Sequence, residues 1–290
     1  MRRLQRKYIY ANLEKLDNLV FAYGIDQSDF VHGIKRLPAN LVSLVGVDDN
    51  EHAVNAHTGL NVINDENEIR RYMLQSHSLP VKWLDYDEVG DLDFLTATEI
   101  AELLYLGHMD RPIRSPFNYK LRNRYVFLEQ RNGGIKLYFY YISAFSHILS
   151  AAIVRHTLAA YRGRRMFMYI SAFSHILSAA IVRHTLAAYR GRRMFMRSLS
   201  VPRVPEAILK QLVALMPDGL FIYFDQSMVR QRQLLVPVHT ETTGNEIEVF
   251  DPARGGENRR THNVATLKFN LNSGTWALQV HDETAFEPHL

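Results

Sequence analysis

The stretch Thr266-Leu-Lys-Phe-Asn-Leu-Asn-Ser-Gly-Thr-Trp-Ala-Leu-Gln-Val280 contains two short runs in which apolar and polar residues alternate. The runs meet at Leu271–Thr275, whose Asn, Ser and Gly residues are typical of a tight turn. Alternation with a period of two places every second side chain on the same face of a strand. We therefore expect a C-terminal antiparallel β-meander with one buried face and one solvated face. The residues expected on the buried face are Ile247, Val249, Leu267, Phe269, Leu271, Trp276, Leu278 and Val280.

A second hairpin is predicted further towards the N-terminus. Two β-rich runs, Tyr125–Gln130 and Ile135–Tyr140, flank the sequence Arg131-Asn-Gly-Gly134. Asn-Gly between two such runs is a strong hairpin signal. Additional strands are expected at residues 41–47, 81–86 and 219–224.

Capping residues and apolar spacing predict several helices. Asp26 begins a short helix that ends before Pro38, and Thr96 with Glu99 forms a capping-box pattern before a helix that ends at Gly107. Other helices are expected at residues 3–23, 64–76 and 206–216. Mixed helices with a mostly antiparallel sheet predict the α+β class.

A 28-residue segment occurs twice in tandem, at residues 141–168 and 169–196, without a single difference. Natural repeat arrays diverge, and they usually need three or more units to stack a core. We interpret the pair as a very recent duplication, an engineered duplication or an error in the recorded sequence. The functional protein is then the parent with one copy, which has 262 residues because the repeat removes 28 of 290.

Each copy predicts a well-buried helix of about 20 residues, an internal tandem duplication of one helix. A polar stripe is expected at Ser143, Ser146, His147, Ser150 and Thr157, and an apolar face at Phe145, Ile148, Leu149, Ala152 and Ala159. His156 falls on the apolar side, where a hydrogen-bonded core histidine is more common than a metal ligand.

The two copies are not expected to form one straight helix with a shared buried face. An offset of 28 residues turns the second apolar face by about 80° from the first, and Gly163 followed by Arg164 and Arg165 should end the first helix. In the single-copy parent this helix would occupy one position in the core, which we call the slot. We expect one copy to fill it. The other would pack as an added helix, be displaced, or mediate self-association.

The repeat also explains the basic charge of the chain. The formal net charge is +4 and the isoelectric point is 9.2, but each copy carries four Arg residues and no acid. Without one copy the formal charge is therefore zero. The global charge is not evidence for nucleic-acid binding, although a high isoelectric point often accompanies it.

Composition limits the remaining possibilities. The chain is 47% hydrophobic and has no cysteine, which excludes disulfides, thiolate metal sites and cysteine nucleophiles. No apolar h-region follows the basic start, and no apolar run reaches the length of a membrane span. We expect a cytoplasmic protein without a membrane span, for which the sequence requires no cofactor.

The sequence Arg111-Pro-Ile-Arg-Ser-Pro116 cannot continue a helix and is the preferred boundary between two regions. Residues 1–116 would form a helix-rich α+β region. Residues 117–290 would contain the hairpin, the duplicated helix and the C-terminal antiparallel sheet.

Two groups of residues could support metal or acid–base chemistry. Candidate metal ligands are Asp48, Asp49, His52 and His57, since carboxylates and imidazoles bind Zn, Mn or Fe. Their spacing matches no specific signature, so the alternative is a polar loop with a helix cap. His108 and Asp110 could form a base with its orienting partner, or His108 could simply stabilise a helix C-terminus.

Basic residues form the candidate binding surface. Residues 119–127 interleave basic and aromatic side chains, as strands that bind single-stranded nucleic acid do; the alternative is a strand edge protected by charge. The candidate binding residues are Lys120, Arg122, Arg124, Arg162, Arg164 and Arg165.

These features leave three functional hypotheses open. The first is a non-enzymatic intracellular binding or regulatory protein that contacts nucleic acid or a protein partner. The second is a metal-dependent hydrolase or nuclease that uses the Asp/His cluster, and the third is a structural scaffold. The sequence does not decide whether the chain is an enzyme.

Deleting residues 169–196 should weaken any affinity for nucleic acid, because the extra Arg residues act mainly through phosphates. Binding by the full chain should also fall steeply as salt is raised. Fluorescence anisotropy with a labelled oligonucleotide at several salt concentrations measures both effects. A tight, salt-resistant complex formed equally by the single-copy chain would contradict this prediction.

Overall fold

The computed structural model describes residues 8–45, 53–174, 201–241 and 261–286, with side chains as far as residue 160 in the second range. Helices and a large antiparallel sheet confirm the α+β class. The helices are α1 Gln27–Gly33, α2 Glu66–Leu74, α3 Ala97–Met109, α4 Ser143–Ser174 and α5 Glu206–Ala214. The strands are β1 Tyr8–Glu14, β2 Leu19–Tyr23, β3 Asn40–Ser43, β4 Ala53–Val54, β5 Asn61–Ile63, β6 Lys82–Tyr86, β7 Tyr125–Glu129, β8 Ile135–Phe139, β9 Leu220–Tyr223, β10 Met228–Arg230, β11 Gln233–Glu241, β12 Thr261–Asn270 and β13 Trp276–Val280.

Within the described residues these strands form one sheet in the order β13-β12-β11-β9-β1-β2-β8-β7-β6-β3-β5-β4, and β10 pairs with β11 at the side. Strand β2 pairs with β8, and β6 pairs with β7. Backbone hydrogen bonds therefore join strands from both sides of residue 116. The division of the chain into residues 1–116 and 117–290 stays a prediction.

The first helix predicted from the sequence, at residues 3–23, is wrong for the described residues. The chain forms the antiparallel hairpin β1–β2 instead, in which Tyr10 lies opposite Tyr23 and Glu14 lies opposite Leu19. Asn18 adopts a left-handed conformation (φ 48°) in the connecting turn. Pairing of β1 with β9 and of β2 with β8 supplies long-range partners that local spacing does not reveal.

Helices cover both faces of the sheet. Alternate strand residues such as Leu137 join the larger core, to which α1, α2, α4 and α5 contribute. Their neighbours, such as Tyr138, face the smaller core beneath α3. Because these strands are buried on both faces, they lack the clean polar alternation of a half-exposed sheet.

The predicted C-terminal hairpin is present, as is the predicted hairpin at β7–β8. Leu267 and Phe269 are fully buried, and they lie opposite Leu278 and Trp276 in the antiparallel register. Leu271 and Leu278 are half-buried against the same core. The predicted buried face is therefore confirmed for these positions; Val280 is only half-buried, and Ile247 and Val249 lie outside the described residues.

The long helix α4 corrects two expectations about the repeat. Gly163 does not end the helix, which continues past the junction of the two copies to Ser174. A glycine inside a helix costs only about 1 kcal/mol relative to alanine, so the surrounding helix formers can carry the chain through it. The expected break between the two copies is therefore absent as far as Ser174, and the remaining residues to Ala188 lie outside the described part.

The polar stripe predicted for the first copy is only partly correct. Ser150 and Thr157 are buried, together with the apolar residues Phe145, Ile148 and Ala152. Ser150 Oγ accepts a hydrogen bond from the Val204 backbone N–H at 3.0 Å. A serine can thus face the core because a neighbouring segment satisfies it.

Two glycines allow helices to approach their neighbours closely. Gly107 is not the C-cap of α3; that position is Asp110, in a left-handed conformation (φ 56°). A Cβ on Gly107 would lie 2.3 Å from the Leu44 carbonyl oxygen, and one on Gly33 would lie 2.5 Å from Ile148 Cα in α4.

Gly33→Ala should lower the free energy of unfolding by about 1–3 kcal/mol, because the added methyl group meets backbone that cannot move aside cheaply. Gly90→Ala is the matched control, since a Cβ there has no neighbour within 4 Å. Urea denaturation followed by circular dichroism measures both variants. Equal stability of the two variants would contradict the close packing of α1 on α4.

Candidate functional site

Helix α4 is attached to α1 by an ion pair and to the turn before α1 by a hydrogen bond. Arg155 Nε donates to Asp29 Oδ1 at 2.7 Å, and its Nη2 also contacts the second carboxylate oxygen. The same nitrogen donates to the Gly24 carbonyl oxygen at 2.8 Å. This two-pronged contact uses the planar geometry of the guanidinium group.

Asp29 is also held by the N-terminal cap of α1. Asp26 caps α1 as predicted, and the two carboxylates form a reciprocal capping box with the backbone N–H groups of both residues. Only 2% of the Asp29 side chain is exposed. Burial raises the pKa of Asp29 to about 6, although its contact with Arg155 acts in the opposite direction.

His156 provides the adjacent anchor. Its Nε2 lies 2.8 Å from the Gly24 carbonyl oxygen and therefore carries the proton that it donates. The ring stacks on Phe224 with a centroid distance of 5.0 Å. The prediction of a hydrogen-bonded core histidine is confirmed.

A groove with a volume of about 500 Å³ opens beside this ion pair, between α1, α4 and the segment that begins at Val201. Most of its lining surface is apolar. The lining residues are Ser28, Asp29, His32, Ala151, Val154, Arg155, Leu158, Ala159, Val201 and Arg203.

Arg203 gives the groove a cationic rim. Its Nη2 donates to the His32 carbonyl oxygen at 3.1 Å, and the side chain is exposed. Within the described ranges it forms no ion pair with an acid. By contrast, Arg155 is offset by Asp29 and by Asp26, whose carboxylate lies 3.7 Å away. Sequence analysis did not identify this groove, because its residues come from three distant segments.

The predicted basic surface at residues 119–124 lies in a turn before β7 and not on an edge strand. Strand β7 is an interior strand between β6 and β8. Arg122 adopts a left-handed conformation (φ 50°) in this turn.

Each of the three cations in this turn faces carboxylates. Lys120 Nζ lies 2.6 Å from Glu99 Oε2 and donates to the Phe94 carbonyl oxygen at 2.9 Å. Lys120 lowers the pKa of Glu99 to about 2. Arg122 lies within 3.2 Å of carboxylate oxygens of three acids, which are Asp87, Glu88 and Asp91.

Arg124 lies near a buried carboxylate. Its Nε is 3.7 Å from Asp85 Oδ2, while Asp85 Oδ1 accepts the backbone N–H groups of Arg124 and Tyr125 at 2.8 Å and 2.6 Å. The remaining candidates Arg162, Arg164 and Arg165 belong to α4, but their side chains lie outside the described part.

Of the predicted metal ligands, Asp48, Asp49 and His52 lie outside the described residues. His57 is exposed, and its Nε2 donates to the Leu95 carbonyl oxygen at 2.7 Å. Across the part of the chain that the structure describes, no group of three or more acids and histidines is arranged to hold a metal ion.

His108 and Asp110 have separate environments. Asp110 Oδ1 lies 2.7 Å from Lys82 Nζ, which also donates to the Gly107 carbonyl oxygen. His108 is exposed in the last turn of α3. No hydrogen bond joins His108 to Asp110, so the described contacts tie Asp110 to the lysine.

Sequence analysis did not identify a cluster of Thr240, His262 and Asp282, because these residues are brought together only by the pairing of neighbouring strands. Thr240 Oγ1 lies 3.4 Å from His262 Nε2, and Asp282 Oδ2 lies 3.8 Å from the same nitrogen. A hydroxyl–imidazole–carboxylate relay uses both ring nitrogens. Since both neighbours here share Nε2, this arrangement does not have relay geometry.

Comparison with protein-family models, curated proteins and solved structures gives no match for this chain. Its function must therefore be argued from its own residues. In the described ranges, no helix combines the length and apolar character needed to cross a membrane.

The buried carboxylate of Asp85 should make stability depend on pH. Burial raises its pKa to about 6, compared with about 3.9 in an unfolded chain. Between these values the folded state binds more protons, so the free energy of unfolding falls as pH rises from about 4 to 6.

Asp85→Asn should reduce that fall by about 3 kcal/mol, the equivalent of two pKa units, while its Oδ1 can still accept the two backbone hydrogen bonds. Urea unfolding at pH 4, 5, 6 and 7 measures the difference. An unchanged pH slope in the variant would contradict the prediction.

Proposed function

We propose that this chain is a non-enzymatic intracellular binding protein, and that its groove takes an amphipathic, acidic helix of a protein partner. The observation that carries the proposal is the combination of an apolar groove with Arg203, an exposed cation at its rim without an acid partner among the described residues. Helix-in-groove binding is a common mode of peptide recognition.

The spacing of the groove floor fits a helical ligand. Ala151, Val154 and Leu158 lie three and four residues apart on α4, so they form a row along one side of that helix. Val201 adds an apolar residue from another segment to the lining. Such a row accepts ridges of apolar side chains that recur every three or four residues on a partner helix.

Charge favours an acidic partner over a basic one. Among the described lining residues, the only carboxylate is that of Asp29, which already binds Arg155 and so leaves Arg203 as the cation without an acid partner. An acidic residue beside the apolar stripe of the partner would meet Arg203 in a partly desolvated site, where charge pairs contribute more than in open water.

The contacts of the other candidate residues favour binding of a protein partner over the nucleic-acid and hydrolase hypotheses. Lys120, Arg122 and Arg124 are paired with carboxylates, which reduces the field that they offer to phosphates. Asp110 and His57 are bound to Lys82 and to a backbone carbonyl. The hydrolase hypothesis retains Asp48, Asp49 and His52, whose positions lie outside the described part.

The test uses two sets of fluorescein-labelled 20-residue helical peptides with leucines at positions i, i+3, i+4 and i+7. One set carries glutamates beside the leucine stripe, and the other carries lysines. Fluorescence anisotropy should show binding of the acidic set and at least tenfold weaker binding of the basic set. Val201→Asp should abolish binding, and Arg203→Glu should weaken it at least tenfold.

Both substituted residues lie outside the repeat, so neither has a second copy in the chain. Leu104→Glu is the matched control, because Leu104 is an exposed apolar residue on α3, which packs in the other core. Failure of every acidic peptide to bind, or binding that survives Val201→Asp, would contradict the proposal. Salt-sensitive binding of a single-stranded oligonucleotide alone would favour nucleic acid instead.

A further inference from the structure

The first copy of the repeat fills a slot whose other walls lie outside the repeat. Arg155 and His156 contact Asp29 and the Gly24 carbonyl, and Ser150 accepts the Val204 N–H. Phe145, Ile148, Leu149, Ala152 and Ile153 are fully buried in the same core. The slot therefore recognises a specific sequence through both polar anchors and apolar packing.

The second copy carries every residue that the slot contacts. Ser178, Arg183 and His184 correspond to Ser150, Arg155 and His156, and the apolar positions are repeated at Phe173, Ile176, Leu177, Ala180 and Ile181. Two identical sequences in one chain are thus available to one slot. We propose that the slot is a binding site for either copy, so that residues 171–188 replace residues 143–160 within the same chain.

The chain connections permit both arrangements. With the first copy in the slot, three residues join the end of β8 to Ser143, and the second copy lengthens the return to Val201. With the second copy in the slot, the return to Val201 regains the length of the single-copy parent. The extra 28 residues then lie between β8 and the slot.

Neither arrangement is strongly favoured by chain entropy. The entropic cost of a loop grows only with the logarithm of its length, so moving the insertion from one side of the slot to the other changes that cost little. A second copy tethered to its own slot also has a much higher effective concentration than one on another molecule. Exchange within the chain is therefore favoured over exchange between chains.

The groove persists in both arrangements. Its lining residues on α4 have identical counterparts at Ala179, Val182, Arg183, Leu186 and Ala187, while Val201 and Arg203 lie outside the repeat. The inference does not rest on the proposed binding function. The two can fail separately, because the register of the helix is measured without any peptide.

Disulfide trapping tests the exchange, since the chain has no cysteine of its own. The Ser150 hydroxyl lies 3.0 Å from the Val204 nitrogen, so the pair Ser150→Cys with Val204→Cys should oxidise to an intrachain disulfide. The pair Ser178→Cys with Val204→Cys should do the same. Non-reducing electrophoresis and peptide mapping identify the crosslinked species.

Ser171→Cys with Val204→Cys is the control, because Ser171 corresponds to Ser143, which lies exposed at the start of the helix. That pair should remain reduced. A Ser178 pair that stays reduced while the Ser150 pair oxidises would overturn the proposal. Disulfides that form only between chains would also overturn it, in favour of helix exchange between molecules.

A second measurement uses the redundancy of the two copies. Ala152→Asp alone and Ala180→Asp alone should each leave the melting temperature within about 3 °C of the unmodified chain, because the other copy can fill the slot. The double variant should lose its cooperative transition, as should Ala152→Asp in a chain that lacks residues 169–196. If Ala152→Asp alone is as damaging as the double substitution, only the first copy can occupy the slot.

Discussion

The ion pair between Arg155 and Asp29 joins two segments that lie far apart in the sequence. It links α4 to the capped start of α1 and to the turn that leaves β2. Because Asp29 is buried, loss of the arginine would leave a desolvated carboxylate without its partner, which destabilises the folded state. The position of α4, and therefore the slot and the groove, depends on this contact.

The pairing of charges changes how the composition should be understood. The whole formal excess of +4 comes from the extra copy of the repeat, and the basic residues before β7 are neutralised by acids from residues 85–99. A segment that is basic in the sequence is therefore close to electrically neutral once the acids that surround it in the fold are counted. Arg203 differs because its described contact is a carbonyl oxygen, and it lies where an apolar groove can use its charge.

The duplicated helix α4 lines one side of the groove. Residues of α4 that face the core hold the helix in place, while those on its flank form the groove floor. Copying the helix therefore copies half of the proposed binding site, whereas the half at Val201 and Arg203 occurs once. Any effect of the duplication on binding must act through which copy lies in the slot.

Sequence alone determined the features that are encoded by neighbouring residues. The Asp26 and Thr96 caps, the hairpin between β7 and β8 and the alternation from Leu267 to Leu278 all follow from local chemistry. Only the tertiary structure decided that residues 8–14 and 19–23 form strands, because their partners β9 and β8 are more than 100 residues away. The same holds for the groove, the pairing of Arg122 and the buried state of Ser150. Each depends on contacts between distant segments, and a pattern within one segment carries no information about the partner that it will meet.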